Sequence, residues 1–253
     1  MKIGIYCTST RPHLWSRLCA SLSHNDVDWN LCITGPCPPN GDLPENVKYI
    51  QTNVKPPQCN FIAANNTEGD YIMYVTDDLW FSNNALDNMI QIAIQQPKSM
   101  VGIIYPSNFL IPTTRPIDPP HLFITEFPWK TSTLTAQTVT LSFPFPLFPL
   151  MSREDFNNIG IDKNFIGALW DIDMVFEHIS RGGTTKIYDK GFVYDIANHL
   201  GDLAFSVGDH TKLVDMWFKD NKLTSKRKVN IDPIIYNDTV LTVSQGPSLN
   251  CWH

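Results

Sequence analysis

Apolar and polar positions along the first hundred residues of this 253-residue chain change period in a regular way. Residues 2–7, 29–34, 47–50, 71–75 and 100–105 are short apolar runs rich in Ile, Val, Tyr and Cys, which predict strands. The near-continuous run at 71–75 predicts a strand covered on both faces. Between these runs, Leu14, Leu18 and Leu22 recur every fourth residue beside Trp15 and Cys19, predicting an amphipathic helix that begins near Pro12. Residues 59–68 read as helix around Phe61, Ile62, Ala63 and Ala64, closed by Gly69. Ala85, Leu86, Met89, Ile90, Ala93 and Ile94 make one stripe of a further helix, capped by Ser82 or Asn83 and ended by Pro97. Strands alternating with helices predict a mostly parallel sheet with right-handed crossovers.

Residues 106–149 break this regularity. Their prolines forbid a long helix, and their aromatics suit either apolar cover for the sheet or stacking on a ligand. Regularity returns at Met151: Ser152 caps a short helix that ends at Ile159-Gly160. A second helix carries Ile172, Val175, Phe176 and Ile179 on one stripe and stops at Gly182-Gly183. Short strands are expected at 185–188 and 192–196, helical spacing at 209–222, and strand-like pieces at 233–236 and 239–243. No repeat or linker divides the chain, so it reads as one structural domain with segments 1–105, 106–200 and 201–253.

Composition narrows the function classes. Net charge is −6 and the longest basic run is Lys226-Arg227-Lys228, so the footprint of a nucleic-acid binder is missing. Six cysteines form neither a C-x-x-C pair nor a zinc spacing, which favours buried thiols in a reducing compartment. No apolar run approaches the roughly 20 residues that span a bilayer, and no signal peptide is read, so a cytoplasmic chain without an anchor is expected. Both common glycine-rich phosphate loops are absent.

Three groups of residues can carry chemistry. Asp77 and Asp78 follow the apolar run 71–75, at the carboxyl end of a strand, where open α/β sheets place their ligand crevice. Two adjacent carboxylates repel unless a cation or proton offsets them. Asp171 and Asp173 stand at a helix start, and His199 follows the strand at 192–196. Each has a plainer explanation alone: a solvated turn, a helix-terminal charge, an ordinary hydrogen-bonded histidine.

Taken in order, Y-I-M-Y-V-T-D-D, then R-E-D-F-N-N-I-G-I-D-K-N-F-I-G-A-L-W-D-I-D-M, then N-H-L-G-D resemble family 2 nucleotide-sugar glycosyltransferases over roughly residues 2 to 200. Arg153, Phe156, Ile159, Gly160, Asp162, Phe165, Asp171 and Asp173 all fall on the second motif. The resemblance implies the GT-A fold, a Rossmann-like nucleotide-sugar-binding half (1–105) merged with an acceptor and catalytic half (106–200), followed by a C-terminal helix and extended tail (201–253). It implies a metal-dependent, inverting transfer of a hexosyl or deoxyhexosyl group from a nucleoside-diphosphate sugar, UDP-linked ahead of GDP- or dTDP-linked, to a hydroxyl on a glycan or small molecule.

By the same resemblance Asp171 is the general base, and Asp78 with His199 holds Mn2+ or Mg2+. Thr8, Ser9, Thr10, Arg11, Asn60, Asp77, Asp78 and Arg153 meet the donor; Trp129, Trp170 and Asp173 lie on the acceptor side. Two departures stand out. Thr76 occupies the first acidic position of D-x-D, and the base-contacting aspartate after the second strand is missing from Ile33-Thr34-Gly35-Pro36. The competing readings are a sugar-nucleotide pyrophosphorylase, whose Gly/Arg/Lys loop is absent, a glycoside hydrolase, and a non-catalytic nucleotide-sugar or glycan-binding module. Thr76 supports the last; Asp171 speaks against it, since binding alone requires no base.

Overall fold

The computed structural model describes residues 1–104, 122–125, 132–136, 139–143, 146–167, 170–195, 216, 218–219 and 222–223. Strands β1 (Lys2–Thr8), β2 (Asp28–Gly35), β3 (Val47–Gln51) and β4 (Tyr71–Tyr74) form where the apolar runs predict them. They pair in parallel in the order β3-β2-β1-β4. A single 3-10 turn at Pro12–Leu14 leads into α1 (Trp15–Leu22), consistent with a proline that starts a helix. Helix α2 (Pro56–Asn65) fills the next crossover, and β5 (Leu79–Phe81) and α3 (Ala85–Gln95) follow β4.

The sheet continues through β6 (Ser99–Ile104), β10 (Leu150–Ser152) and β11 (Thr184–Asp195), giving eight strands in the order β3-β2-β1-β4-β10-β6-β11-β5. It is mixed: β10 runs antiparallel to both β4 and β6, β11 is parallel to β6, and β5 is antiparallel to β11. Helices α4 (Arg153–Ile159) and α5 (Trp170–Ser180) follow β10. Three antiparallel strands, β7 (Leu122–Thr125), β8 (Ser132–Ala136) and β9 (Val139–Phe143), form a separate small sheet.

Strand alternation divides the core. Ile3, Ile5 and Cys7 of β1 point to a cluster with Leu18, Leu22, Leu31, Met73, Leu86 and Met89, under α1 and α3. Tyr6 points the other way, to Ile72, Met151, Phe156, Phe165 and Phe176, under α2, α4 and α5. Each large apolar side chain buried there stabilises the fold by about 1.5–3 kcal/mol. Phe156, Ile159 and Phe165 of the second sequence motif are thus core residues. Cys7, Cys19, Cys32, Cys37 and Cys59 are all buried. Among the described residues no helix is long and apolar enough to cross a membrane.

Several expectations change. Ser82 does not cap α3; its hydroxyl accepts from the Phe192 amide on β11, and Asn84 enters the helix at φ 58°. Gly69 lies beyond the end of α2, and a side chain there would meet the Lys2 carbonyl at 2.6 Å. The two strands expected at 185–188 and 192–196 are one, with a register shift between Tyr188 and Phe192. Part of 106–149 is sheet, not loop. Phe218–Lys219 pairs antiparallel with Lys222–Leu223 (β12 and β13), so the helical spacing read there does not hold for those residues. The pieces expected at 233–236 and 239–243 lie outside the described residues.

Candidate functional site

Strand order reverses at β1: β2 lies on one side of it and β4 on the other. The carboxyl ends of β1 and β4 lie side by side there, at the position where open α/β sheets place their ligand crevice. Ser9 and Arg11 leave β1 on one side of it; Asp77 and Asp78 leave β4 on the other.

Glycine makes this approach possible. A β-carbon on Gly35, the last residue of β2, would stand 1.9 Å from the Ser9 carbonyl, so only glycine lets the turn after β1 lie on the end of β2. The Ser9 amide donates to the Thr34 carbonyl at 2.9 Å and locks that contact. The Ser9 hydroxyl then uses its whole hydrogen-bonding capacity. It accepts from Trp15 Nε1 at 2.6 Å and from the Arg11 amide at 3.0 Å, and it donates to Asp77 Oδ2.

Arg11 ties the acidic pair together. Its Nε donates to Asp77 Oδ2 at 3.2 Å, and its Nη2 donates both to Asp77 Oδ1 and, at 2.6 Å, to Asp78 Oδ2. Asp77 is 2% exposed; burial pushes its carboxyl up, against the downward pull of Arg11 and Ser9. Asp78 is less enclosed, and its Oδ1 takes no hydrogen bond among the described residues.

Asp171 approaches from the other half. Trp170 of α5 is buried edge-on against Tyr74 of β4, with ring centroids 4.7 Å apart, and the Tyr6 hydroxyl donates to Met174 Sδ at 3.9 Å. These contacts seat the amino end of α5 against β1 and β4. Asp171 keeps some surface but is surrounded by protein; burial pushes its carboxyl up, while the Ile172 amide, donating to Oδ1 at 3.0 Å, pulls it down. It borders a cavity of about 30 Å³ with Tyr74 and residues 146–149, room for about one water. Burial pushes the Tyr74 hydroxyl up, and the charges of Asp171 and Asp78 both add to the shift. Tyr74 is therefore within electrostatic reach of both acidic centres. Sequence reasoning did not single it out, although its place at the end of the apolar run was a usable signal.

The remaining expected residues divide. Thr8 and Thr10 sit on the same side of the crevice as Ser9; Thr8 Oγ1 donates to the Thr34 carbonyl at 3.1 Å. Asn60 lies on α2 beside them, since the Cys59 carbonyl accepts from Thr34 Oγ1 at 2.8 Å. Asn60 is 1% exposed, and neither its amide oxygen nor its nitrogen has a hydrogen-bond partner among the described residues. Arg153 is elsewhere. Its guanidinium donates to the Ala64 carbonyl and Thr67 Oγ1, both at 2.9 Å, and its amide to the Asp70 carbonyl. It thus anchors the amino end of β4, away from Asp77, because helix α4 starts where antiparallel β10 ends. Asp173 is 0% exposed and Trp170 is buried, so neither offers a surface to an acceptor. Trp129 and His199 lie outside the described residues.

A hard divalent cation is bound through one or two carboxylates together with substrate phosphates. Asp78 Oδ1 fits that role as a single oxygen ligand. Among the described residues no three His, Cys, Asp or Glu side chains are grouped to hold a metal by themselves.

No family model and no curated protein matches the chain. Among solved structures it is similar to S. aureus TarS 1-349, with TM-score 0.54 and 13% identity over 77% of this chain and 60% of that one. The same protein in complex with UDP gives TM-score 0.53 and 11% identity, covering 77% and 60% of the two chains. A further S. aureus TarS structure gives TM-score 0.53 and 13% identity over 78% of this chain and 37% of that one. The chain thus spans about 60% of the length of TarS 1-349. The fold is of the GT-A type, as expected from the sequence.

Proposed function

We propose that the protein is a glycosyltransferase that moves a sugar from a nucleoside-diphosphate sugar to an acceptor hydroxyl, with inversion at the anomeric carbon. The observation that carries this reading is the placing of Asp171 beside Tyr74 at the carboxyl end of β4, the strand that Asp77 and Asp78 follow, next to the reversal point of the sheet. The GT-A fold, shared with S. aureus TarS and solved there with UDP, supports it and favours a uridine donor.

In this reading the turn at 8–11 and Asn60 receive the nucleoside, and Asp78 faces the diphosphate. A divalent cation, Mn2+ or Mg2+, held there would offset the charge that grows on the diphosphate as the sugar leaves. Asp171 takes the proton from the acceptor hydroxyl while that oxygen bonds to the anomeric carbon and the bond to the diphosphate breaks. Its surroundings suit the task, because burial raises the basicity of a carboxylate that stays open on one side. Direct displacement by one acceptor oxygen inverts the centre.

The test is thermal unfolding with nucleoside diphosphates and Mn2+. UDP at 100 times its dissociation constant adds about 2.7 kcal/mol, a rise of roughly 5–10 °C for a chain of this size. Asp78→Asn abolishes the Mn2+-dependent part. Donor binding without transfer to any acceptor hydroxyl, in a folded wild type, would instead support a non-catalytic binding module.

A further inference from the structure

The acidic pair already holds a cation, and that cation belongs to the chain. Two carboxylates and one guanidinium leave this cluster one negative charge in excess, so it repels a free diphosphate. A metal ion arriving alone must compete with the guanidinium for Asp78. Arg11 grips its two partners unequally. Asp77 receives both Nε and Nη2, the bidentate fork for which guanidinium is shaped, and the Ser9 hydroxyl besides. Asp78 receives only Nη2, on Oδ2, at 2.6 Å. The Arg11 side chain is 27% exposed, against 3% for Asp77 and 14% for Asp78, so Arg11 is the member of the cluster most open to solvent.

We propose that Arg11 is a displaceable counter-ion: it holds Asp78 until a divalent cation and a diphosphate arrive together, and it then keeps Asp77 while its released N–H turns to the phosphate. This rests on the transferase reading of the site. The contact to Asp78 is the one that breaks, because it is a single hydrogen bond to the more open carboxylate. The contact to Asp77 persists, because losing it would leave a buried carboxylate uncompensated. The consequence is coupling: metal and diphosphate each bind weakly alone and strengthen one another. Arg11 sets the size of that effect.

The experiment is calorimetric titration of the full chain with Mn2+ alone, with UDP alone, and with Mn2+ in the presence of UDP. In the wild type, UDP is expected to raise the affinity for Mn2+ tenfold or more. Arg11→Gln, which keeps a hydrogen-bond donor but no charge, should raise affinity for Mn2+ alone by tenfold or more and reduce the gain from UDP. Adding Asp78→Asn to it should abolish Mn2+ binding. Should Arg11→Gln unfold, Arg11→Lys decides, since an ammonium can stay on Asp77 without the planar fork that spans both carboxylates. Unchanged or weaker Mn2+ binding in the folded variant overturns the proposal, as does a wild type that binds UDP equally well with and without Mn2+. A wild type that binds no UDP, in which Arg11→Gln nonetheless tightens Mn2+, refutes the transferase reading and leaves the counter-ion role standing.

Discussion

Replacing Asp171 with Asn keeps the size of the side chain and removes its capacity to take a proton. General-base groups contribute about 10²–10⁴-fold in rate. At about 1.36 kcal/mol per factor of ten, the loss corresponds to roughly 2.7–5.5 kcal/mol of barrier. Donor affinity should hardly change, because Asp171 makes none of the hydrogen bonds that hold the Arg11–Asp77–Asp78 cluster. Stability should move in the opposite sense to activity. Burial raises the carboxyl pKa of Asp171 in the folded state, so the native protein binds this proton more tightly than the unfolded chain does. Stability from this group is therefore complete below the unfolded pKa of about 3.9 and falls as pH rises through the native pKa. Asp171→Asn escapes that penalty: it should be more stable than the wild type at pH 7, and the difference should vanish below pH 4. UDP release in the presence of acceptor measures the rate, and urea unfolding at the two pH values measures stability. Wild-type transfer by the Asn variant, or a stability difference that does not change between the two pH values, refutes the assignment.

Further predictions follow from the site's scaffold. Ser9→Ala leaves the Trp15 indole N–H without its acceptor and takes one of three hydrogen bonds from Asp77, and should cost about 1–3 kcal/mol in urea unfolding; a change below about 0.5 kcal/mol, the usual range for surface substitutions, would count against the network. Gly35→Ala sets a methyl group against the Ser9 carbonyl, so the turn carrying Ser9 and Arg11 must shift; calorimetry should show UDP binding weakened about tenfold or more (about 1.4 kcal/mol) while circular dichroism keeps its helical signal. Ser152→Ala removes the cap on the Asp155 amide and should lower stability by about 1 kcal/mol without touching UDP affinity.

What could be read from the sequence had local causes. Strands β1, β2 and β4 announce themselves because each is a largely apolar run with a paired neighbour on both sides. Ser152 was legible as a cap because capping is settled within four residues. Strand β5 was not, since its three residues exist as a strand only by pairing with the end of β11, more than a hundred positions away. Strand β10 is equally short and is held by β4 and β6 rather than by any pattern of its own. The same limit applies to the site. Asp77 and Asp78 stand at a strand end that periodicity locates, but which cation they meet depends on how the turn after β1 folds back over Gly35. Arg153 looked like a phosphate ligand by its place in a motif, whereas its guanidinium donates to the carbonyls of Ala64 and Thr67, at the end of α2 and just beyond it.

Strand β10 has a mechanical consequence. It is the seam between the half of the sheet that carries Asp77 and the half that leads to β11. It holds three residue pairs with β4 and a single one, Leu150 with Val101, with β6. Everything after it, including α5 and Asp171, is indexed from that join. A slip of one residue along β4 would carry this segment about 3.3 Å and turn Met151 out of its core. Proton transfer is sensitive to displacements of about 1 Å. The alignment of the two acidic centres is thus a vernier set by three backbone pairings, and a lesion at Leu150 or Met151, with no contact to any ligand, can put the machine out of true.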